Sequence, residues 1–449
     1  MYRIPIFAAR PAYRFARVWF PRDASRSARP KRMSILSWAI FRSDPFRRRW
    51  AIPRTLRSPA KRVPAPPVTP GGQTFFPQVT IDGGESVKAR VKSIYRHLKK
   101  PVDAIVLSNS TDPHIDMSFF YAAGLTDGLF EGCTAWLFPD GRCEIVTSAL
   151  EEEAAKKSGL PLHIFRNRDE RLAAMRRLVK GLRRIGINAS EITQKAYAEL
   201  TKLAPRARFS DVSDAVMKTR LVKDETEIDL IRTACSIASK SFEQTLPFIR
   251  AGRTESEVAA ELVYTMQKNG ATGPAFRTIV GAGPNSAEPH YTAGPREIRK
   301  GDLIVIDFGA LFKMYHSDVT RTVVVGDPSP EQREMYDVVR RAQDAAMEKL
   351  RPGIKGKSVD AAARKLIDST KYKGQFIHGL GHSIGLATHD GGGLNSVSDI
   401  VLKPSMVFTN EPGVYVSGFG GVRIEDDVLI TKGGPEILST ASRDLIRVG

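Results

Sequence analysis

The chain has 449 residues, 42% of them apolar, so two or three domains with sizeable cores are within reach. Its three cysteines, Cys133, Cys143 and Cys235, are too few and too scattered for a disulfide framework and lack zinc-finger spacing, which points to a reducing cytoplasm; no apolar run of about 18 residues offers a membrane span. The net charge of +19 invites a nucleic-acid partner, but 17 Lys+Arg against 2 Asp place +15 of it in residues 1–75 and leave about +4 for the rest, so nucleic acid is not an expected partner of the body of the chain.

Residues 1–75 are rich in Arg and Pro, as in Arg47-Arg48-Arg49 and Pro64-Ala65-Pro66-Pro67, and carry no sustained period. A disordered basic arm is the first expectation. The other readings are an Arg-rich targeting peptide and non-native coding sequence ahead of a later start such as Met33. From about Val79 the composition becomes globular. Residues 103–108 read as a buried strand, and 133–147 as two strands joined at the turn Pro139-Asp140-Gly141. Residues 151–158 suggest a short helix. Apolar residues at helical spacing from Leu172 to Ile185 suggest a longer one, whose Arg and Lys form a solvated face. Alternating strands and helices predict an α/β domain over about 76–215.

A second domain is expected over 224–449. Residues 225–249 form an amphipathic helix with Cys235 on its core side, and Thr254-Glu255-Ser256-Glu257 is a capping box opening the next. Strand signals follow at 276–280, 303–308 and 318–325. Ser329-Pro330-Glu331-Gln332 starts another helix, running to about Leu350, and Ser358 one more to Asp368. Strands at 407–410 and 422–430 complete the chain. The order helix, helix, strands thus occurs twice, over about 224–326 and 327–449, and predicts an internal duplication.

Three of the eight histidines, His378, His382 and His389, lie in one glycine-interleaved stretch, 376–389. Asp307 and Asp318 each sit at the edge of an apolar run and flank a segment able to turn back on itself. Glu411 follows a strand and precedes Pro412-Gly413, and Glu425 lies in Arg423-Ile424-Glu425-Asp426. Four carboxylates at strand edges with one histidine from the stretch make an oxygen-rich set suited to one or two divalent cations, unlike a thiolate structural zinc site.

These residues resemble the pita-bread-fold metallopeptidases of family M24, in the group of prolidase and aminopeptidase P. The carriers are Asp307-Phe308-Gly309, Asp318-Val319-Thr320-Arg321-Thr322, His378-Gly379-Leu380-Gly381-His382, Glu411-Pro412-Gly413 and Arg423-Ile424-Glu425-Asp426, five elements in the family's order. The resemblance implies a creatinase/prolidase-like α/β N-terminal domain before an α+β pita-bread catalytic domain with internal pseudo-duplication. It implies that Asp307, Asp318, His382, Glu411 and Glu425 bind two divalent metals, Mn first, with Co or Zn as alternatives. Asp318 and Glu425 would bridge the metals, which share the attacking hydroxide, and Glu411 would also shuttle its proton. His290, in Glu288-Pro289-His290-Tyr291, would contact the peptide near the scissile bond. His378 and His389 would bind substrate or the tetrahedral intermediate, and Arg423 would orient these groups or pair with a substrate carboxylate. The implied activity is hydrolysis of Xaa-Pro bonds in small peptides with proline second, by a cytoplasmic homodimer with no membrane partner. The departures are Ser383, in place of the family's glycine, and Asp390, where many relatives carry Glu. A methionine aminopeptidase shares the ligands but is disfavoured by the domain at 76–215. A non-catalytic peptide- or RNA-binding scaffold, or a creatinase-like metal-free hydrolase, is disfavoured by the full ligand set. His316 is expected to be a loop residue, and His97, His114 and His163 structural.

Overall fold

The computed structural model describes residues 84–449; the basic segment 1–75, with every expectation attached to it, lies outside the described residues. The first region is a six-stranded mixed sheet in the order Leu162–Phe165, Cys143–Ser148, Thr134–Leu137, Ala104–Ser108, Arg184–Ile187, Arg208–Asp211. The central strand Ala104–Ser108 is buried along its whole length, as a strand covered on both faces must be. Its alternation divides two cores. Ile105 and Leu107 pack with Val91, Ile94, Phe119 and Val216 on one side, and Ala104 and Val106 pack with Trp136, Met175 and Leu200 on the other. The hairpin expected at 133–147 forms, with Gly141 at φ 95° closing the turn.

One helix is shorter than its spacing suggested. It spans Arg168–Val179, and Lys180 leaves the helical region before Gly181 turns at φ 84°. Ile185 belongs instead to the strand Arg184–Ile187, which pairs in parallel with Ala104–Ser108. The helical register of Leu182 and Ile185 was coincidental: a glycine able to adopt positive φ ends a helix whatever apolar residues follow.

The remainder follows the expected repeat. Helices Glu225–Thr245 and Glu255–Lys268 precede a sheet in the order Ile446–Val448, Val319–Val325, Leu303–Phe308, Ile279–Ala282. Helices Pro330–Met347 and Gly356–Asp368 precede strands Val407–Asn410, Gly413–Val416, Gly420–Arg423, Asp426–Thr431 and Gly434–Ile437. Asp224, Thr254 and Ser329 each form a complete capping box. Each half carries its own apolar core.

Two strand assignments shift. The strand expected at 276–280 runs over Ile279–Ala282. The strand expected at 422–430 is two strands in two sheets: Gly420–Arg423 pairs with Gly413–Val416, and Asp426–Thr431 pairs with Val407–Asn410. The chain changes partner at Ile424-Glu425, where Glu425 N donates to Thr320 O at 3.1 Å and the Arg321 guanidinium reaches back to Glu425 O. That break places the Glu425 side chain beside the sheet of the other half.

Candidate metal centre

Strand pairing brings the acids together. Leu303–Phe308 and Val319–Val325 are antiparallel with Asp307 opposite Thr320, so Asp318 is the diagonal neighbour of Asp307 on the same face. Glu425 is tied to this face by Thr320, whose Oγ1 donates to Glu425 Oε2 at 2.6 Å. From the second half, Thr409 holds two further groups: its Oγ1 accepts from the His382 backbone N at 3.0 Å and donates to Glu411 Oε1 at 3.2 Å. His382 Nε2 then stands 3.5 Å from both Asp318 Oδ2 and Glu411 Oε1. Gly381 is required for this, because a methyl group there would overlap the Thr409 carbonyl.

The cluster is a concentration of buried negative charge. Asp318, Glu425 and Glu411 are all pushed above the usual carboxylate range, first by burial and then by one another and Asp307; Glu411 reaches about 8. Burial lowers His382 to about 4, with His389 adding to the effect from a ring centroid 4.1 Å away. Asp307 Oδ1 and Asp318 Oδ1 are buried with no hydrogen-bond partner among the described residues. One ligand atom each from Asp318, His382 and Glu425 lie within 4.8 Å of one another. Orphaned carboxylate oxygens beside an unprotonated imidazole are a donor set that divalent cations satisfy.

Arg423 runs along one side. Its Nη2 donates to Asp307 Oδ2 at 2.7 Å, its Nε to Thr320 Oγ1 at 3.0 Å and its Nη1 to Tyr415 Oη at 2.8 Å. Tyr415 Oη, having accepted from Arg423, is left to donate to His378 Nε2 at 2.9 Å, and His378 Nδ1 then donates to Gly379 O at 2.8 Å. Both ring nitrogens of His378 are therefore engaged. Burial and Arg423 lower it to about 4, so it is a neutral imidazole. Gly413 allows the tyrosine to sit here, since a methyl group on it would overlap Tyr415 Oη. His389 makes no side-chain hydrogen bond among the described residues, and His290 stands on an exposed turn close enough to act electrostatically on both His378 and His389.

Four contributors were not singled out from the sequence: Thr320, Thr409, Tyr415 and Asp427. Asp427 Oδ2 accepts from the Asp318 backbone N at 2.8 Å and from Cys235 Sγ at 3.2 Å. Asp427 lies in the strand Asp426–Thr431, beyond the break at Glu425, so only the tertiary structure brings it beneath Asp318. Tyr415 carried none, because it meets Arg423 only across a hairpin. Asp390 is ion-paired to Lys223 Nζ at 2.9 Å and to Arg220, which ties the residue after His389 to the segment leaving the first region. A cavity of about 380 Å³ opens at this junction, with His389 and Asp390 on one wall and Asn188 and Glu191 on the other. His316 is a strand residue whose N donates to Gly385 O at 2.8 Å, bracing the stretch from behind.

The comparisons with known proteins agree on one family. The profile of metallopeptidase family M24 matches residues 229–432, and that of the creatinase/prolidase N-terminal domain matches 90–222. An Xaa-Pro dipeptidase of Pyrococcus horikoshii is 39% identical over 364 residues, covering 80% of this chain and 98% of that protein. Among solved structures, an Xaa-Pro dipeptidase from Bacillus anthracis superposes with a TM-score of 0.74 at 34% identity over 82% of this chain and all of that one. An X-Pro aminopeptidase from Thermotoga maritima superposes with a TM-score of 0.73 at 34% identity over 77% of this chain and 98% of that one. With the architecture, the acid cluster and nearly the full length of the archaeal relative accounted for, this chain belongs to metallopeptidase family M24, in its prolidase and aminopeptidase P group.

Proposed function

We propose that this enzyme hydrolyses Xaa-Pro bonds in small peptides and acts as an Xaa-Pro dipeptidase. The observation that carries the reading is the buried acid cluster with orphaned oxygens at Asp307 and Asp318, in a chain so similar to proteins named Xaa-Pro dipeptidases. Asp307, Asp318, His382, Glu411 and Glu425 would hold two divalent cations, Mn in the first instance. When bound, these supply Lewis acidity and a lowered pKa for water.

The residues around the cations divide the work. Glu411, held by Thr409 beside His382, accepts the proton released in the attack and returns it to the departing proline nitrogen. His389, beside His382 and without another side-chain hydrogen bond among the described residues, donates to the oxygen on which negative charge develops. His290 holds the peptide from the exposed side. His378 has both nitrogens engaged and steers Tyr415 and, through it, Arg423. Arg423 holds Asp307 in its orientation through their ion pair. The three free, buried thiols fit a reducing cytoplasm, and a homodimer is expected from the family.

The test compares hydrolysis of Ala-Pro, Ala-Pro-Ala and Met-Ala-Ser by chelated and Mn-loaded protein. Metal-dependent cleavage of Ala-Pro alone is the expected result. Cleavage of Ala-Pro-Ala would move the enzyme to the aminopeptidase class, and failure on all three would end the peptidase reading.

A further inference from the structure

Glu255 is a carboxylate with no exposed surface, at the first position of the helix Glu255–Lys268. Its Oε1 accepts from Ala282 N at 2.8 Å and Asn285 Nδ2 at 3.0 Å. Its Oε2 accepts from Tyr291 Oη at 2.9 Å and Gly294 N at 3.3 Å. Four donors and a helix N-terminus satisfy both oxygens of this buried side chain. All four donors come from one segment, 282–294, two before His290 and two after it. Asn285 Nδ2 also donates to Tyr291 Oη at 2.7 Å, closing the loop across its neck. Outside this clamp, Glu255 N donates to Arg296 O at 3.1 Å, Ser256 N donates to Gly294 O at 3.0 Å, and Gly421 N donates to Ser286 Oγ at 2.8 Å. The last contact seats the loop on the strand that carries Arg423.

His290 itself is exposed, and no hydrogen bond holds its ring among the described residues. Its place near His378 and His389 is therefore set by its backbone. We propose that Glu255 is a positioning residue for His290, clamping both arms of the 282–294 loop so that the imidazole is presented to the bound peptide. The proposal rests on the reading of His290 as a peptide-contacting group. A displacement of about 1 Å at such a group is enough to lower turnover by an order of magnitude or more.

The experiment uses Mn-loaded full-length protein with Ala-Pro as the probe and four variants: Glu255→Gln, Tyr291→Phe, His290→Ala and Glu255→Gln/His290→Ala. Glu255→Gln keeps the shape but turns one acceptor of two donors into an amide NH2. Tyr291→Phe removes one hydroxyl from a partly exposed ring and leaves folding intact. Glu255→Gln is expected to lower kcat/KM about tenfold, and Tyr291→Phe by less. Bound Mn should be unchanged and amide hydrogen exchange across 283–294 faster. The double variant should be no slower than His290→Ala alone. Full activity of His290→Ala would remove the underlying reading. An impaired His290→Ala beside unimpaired Glu255→Gln and Tyr291→Phe, or multiplicative losses in the double variant, would overturn the clamp and leave the reading of His290 standing.

Discussion

Glu411 is the residue on which the chemistry turns. It is buried, held by Thr409 and close to His382, and its carboxyl is pushed up to about 8. Glu411→Ala is expected to abolish turnover with the far-ultraviolet circular dichroism spectrum unchanged; a variant with the full rate would refute the proton-shuttle role. The same burial has a consequence for pH. A carboxyl whose folded pKa exceeds its unfolded value stabilises the fold below the unfolded pKa, and that contribution is lost as pH rises through the folded value. In the metal-free protein Glu411 therefore weakens the fold progressively from about pH 4.5 to about pH 8, and Glu425 and Asp318, raised well above their ordinary values, act in the same direction. A bound cation displaces the protons and removes the penalty. The rise in Tm caused by Mn should accordingly grow from pH 6 to pH 8 in differential scanning calorimetry. A rise that shrinks over this range would contradict the placement of these carboxyls. At this scale the five ligand candidates were legible because each is embedded in a short motif. Thr320 and Thr409 were less so, since a threonine becomes a carboxylate holder only when strand register puts one opposite.

At the scale of elements, the stretch 376–389 depends on what braces it. Asp390 is buried between Lys223, which is fully buried, and Arg220. Burial alone would raise its pKa, but the two cations outweigh it and hold the carboxyl below the ordinary carboxylate value. Asp390→Asn strands both cations and is expected to destabilise the protein by about 3–5 kcal/mol. The depressed pKa fixes the sign: this stability is present above the unfolded carboxylate pKa and lost as pH falls through the folded one. In urea denaturation the gap between wild type and Asp390→Asn should be constant from pH 5 to pH 8 and close in stronger acid. A gap that widens in acid would show that Asp390 is not held by cations. The sequence marked Asp390 only as a departure from a family pattern, because Arg220 and Lys223 lie some 170 residues away and no local period links them.

For the whole molecule, the matched profiles lie between residues 90 and 432, and the clamp at Asp390 joins the first region to the second. A variant lacking residues 1–75 is therefore expected to keep the kcat/KM of the full chain on Ala-Pro; loss of turnover on truncation would assign the basic segment a part in catalysis. The residue types themselves pointed to an α/β region before a duplicated region of helices and strands, and to four acids with one histidine of 376–389 as ligand candidates; the family resemblance singled out His382. Hydrophobic period, capping residues and short motifs are local, so they survive in a one-dimensional reading. Tertiary structure alone decided three things: that the expected strand at 422–430 breaks at Glu425 to change sheets, that Tyr415 links Arg423 to His378, and that Glu255 grips both arms of the His290 loop. Each depends on a hydrogen bond between residues of different strands, loops or helices, and those pairings exist only once the sheets have chosen their register.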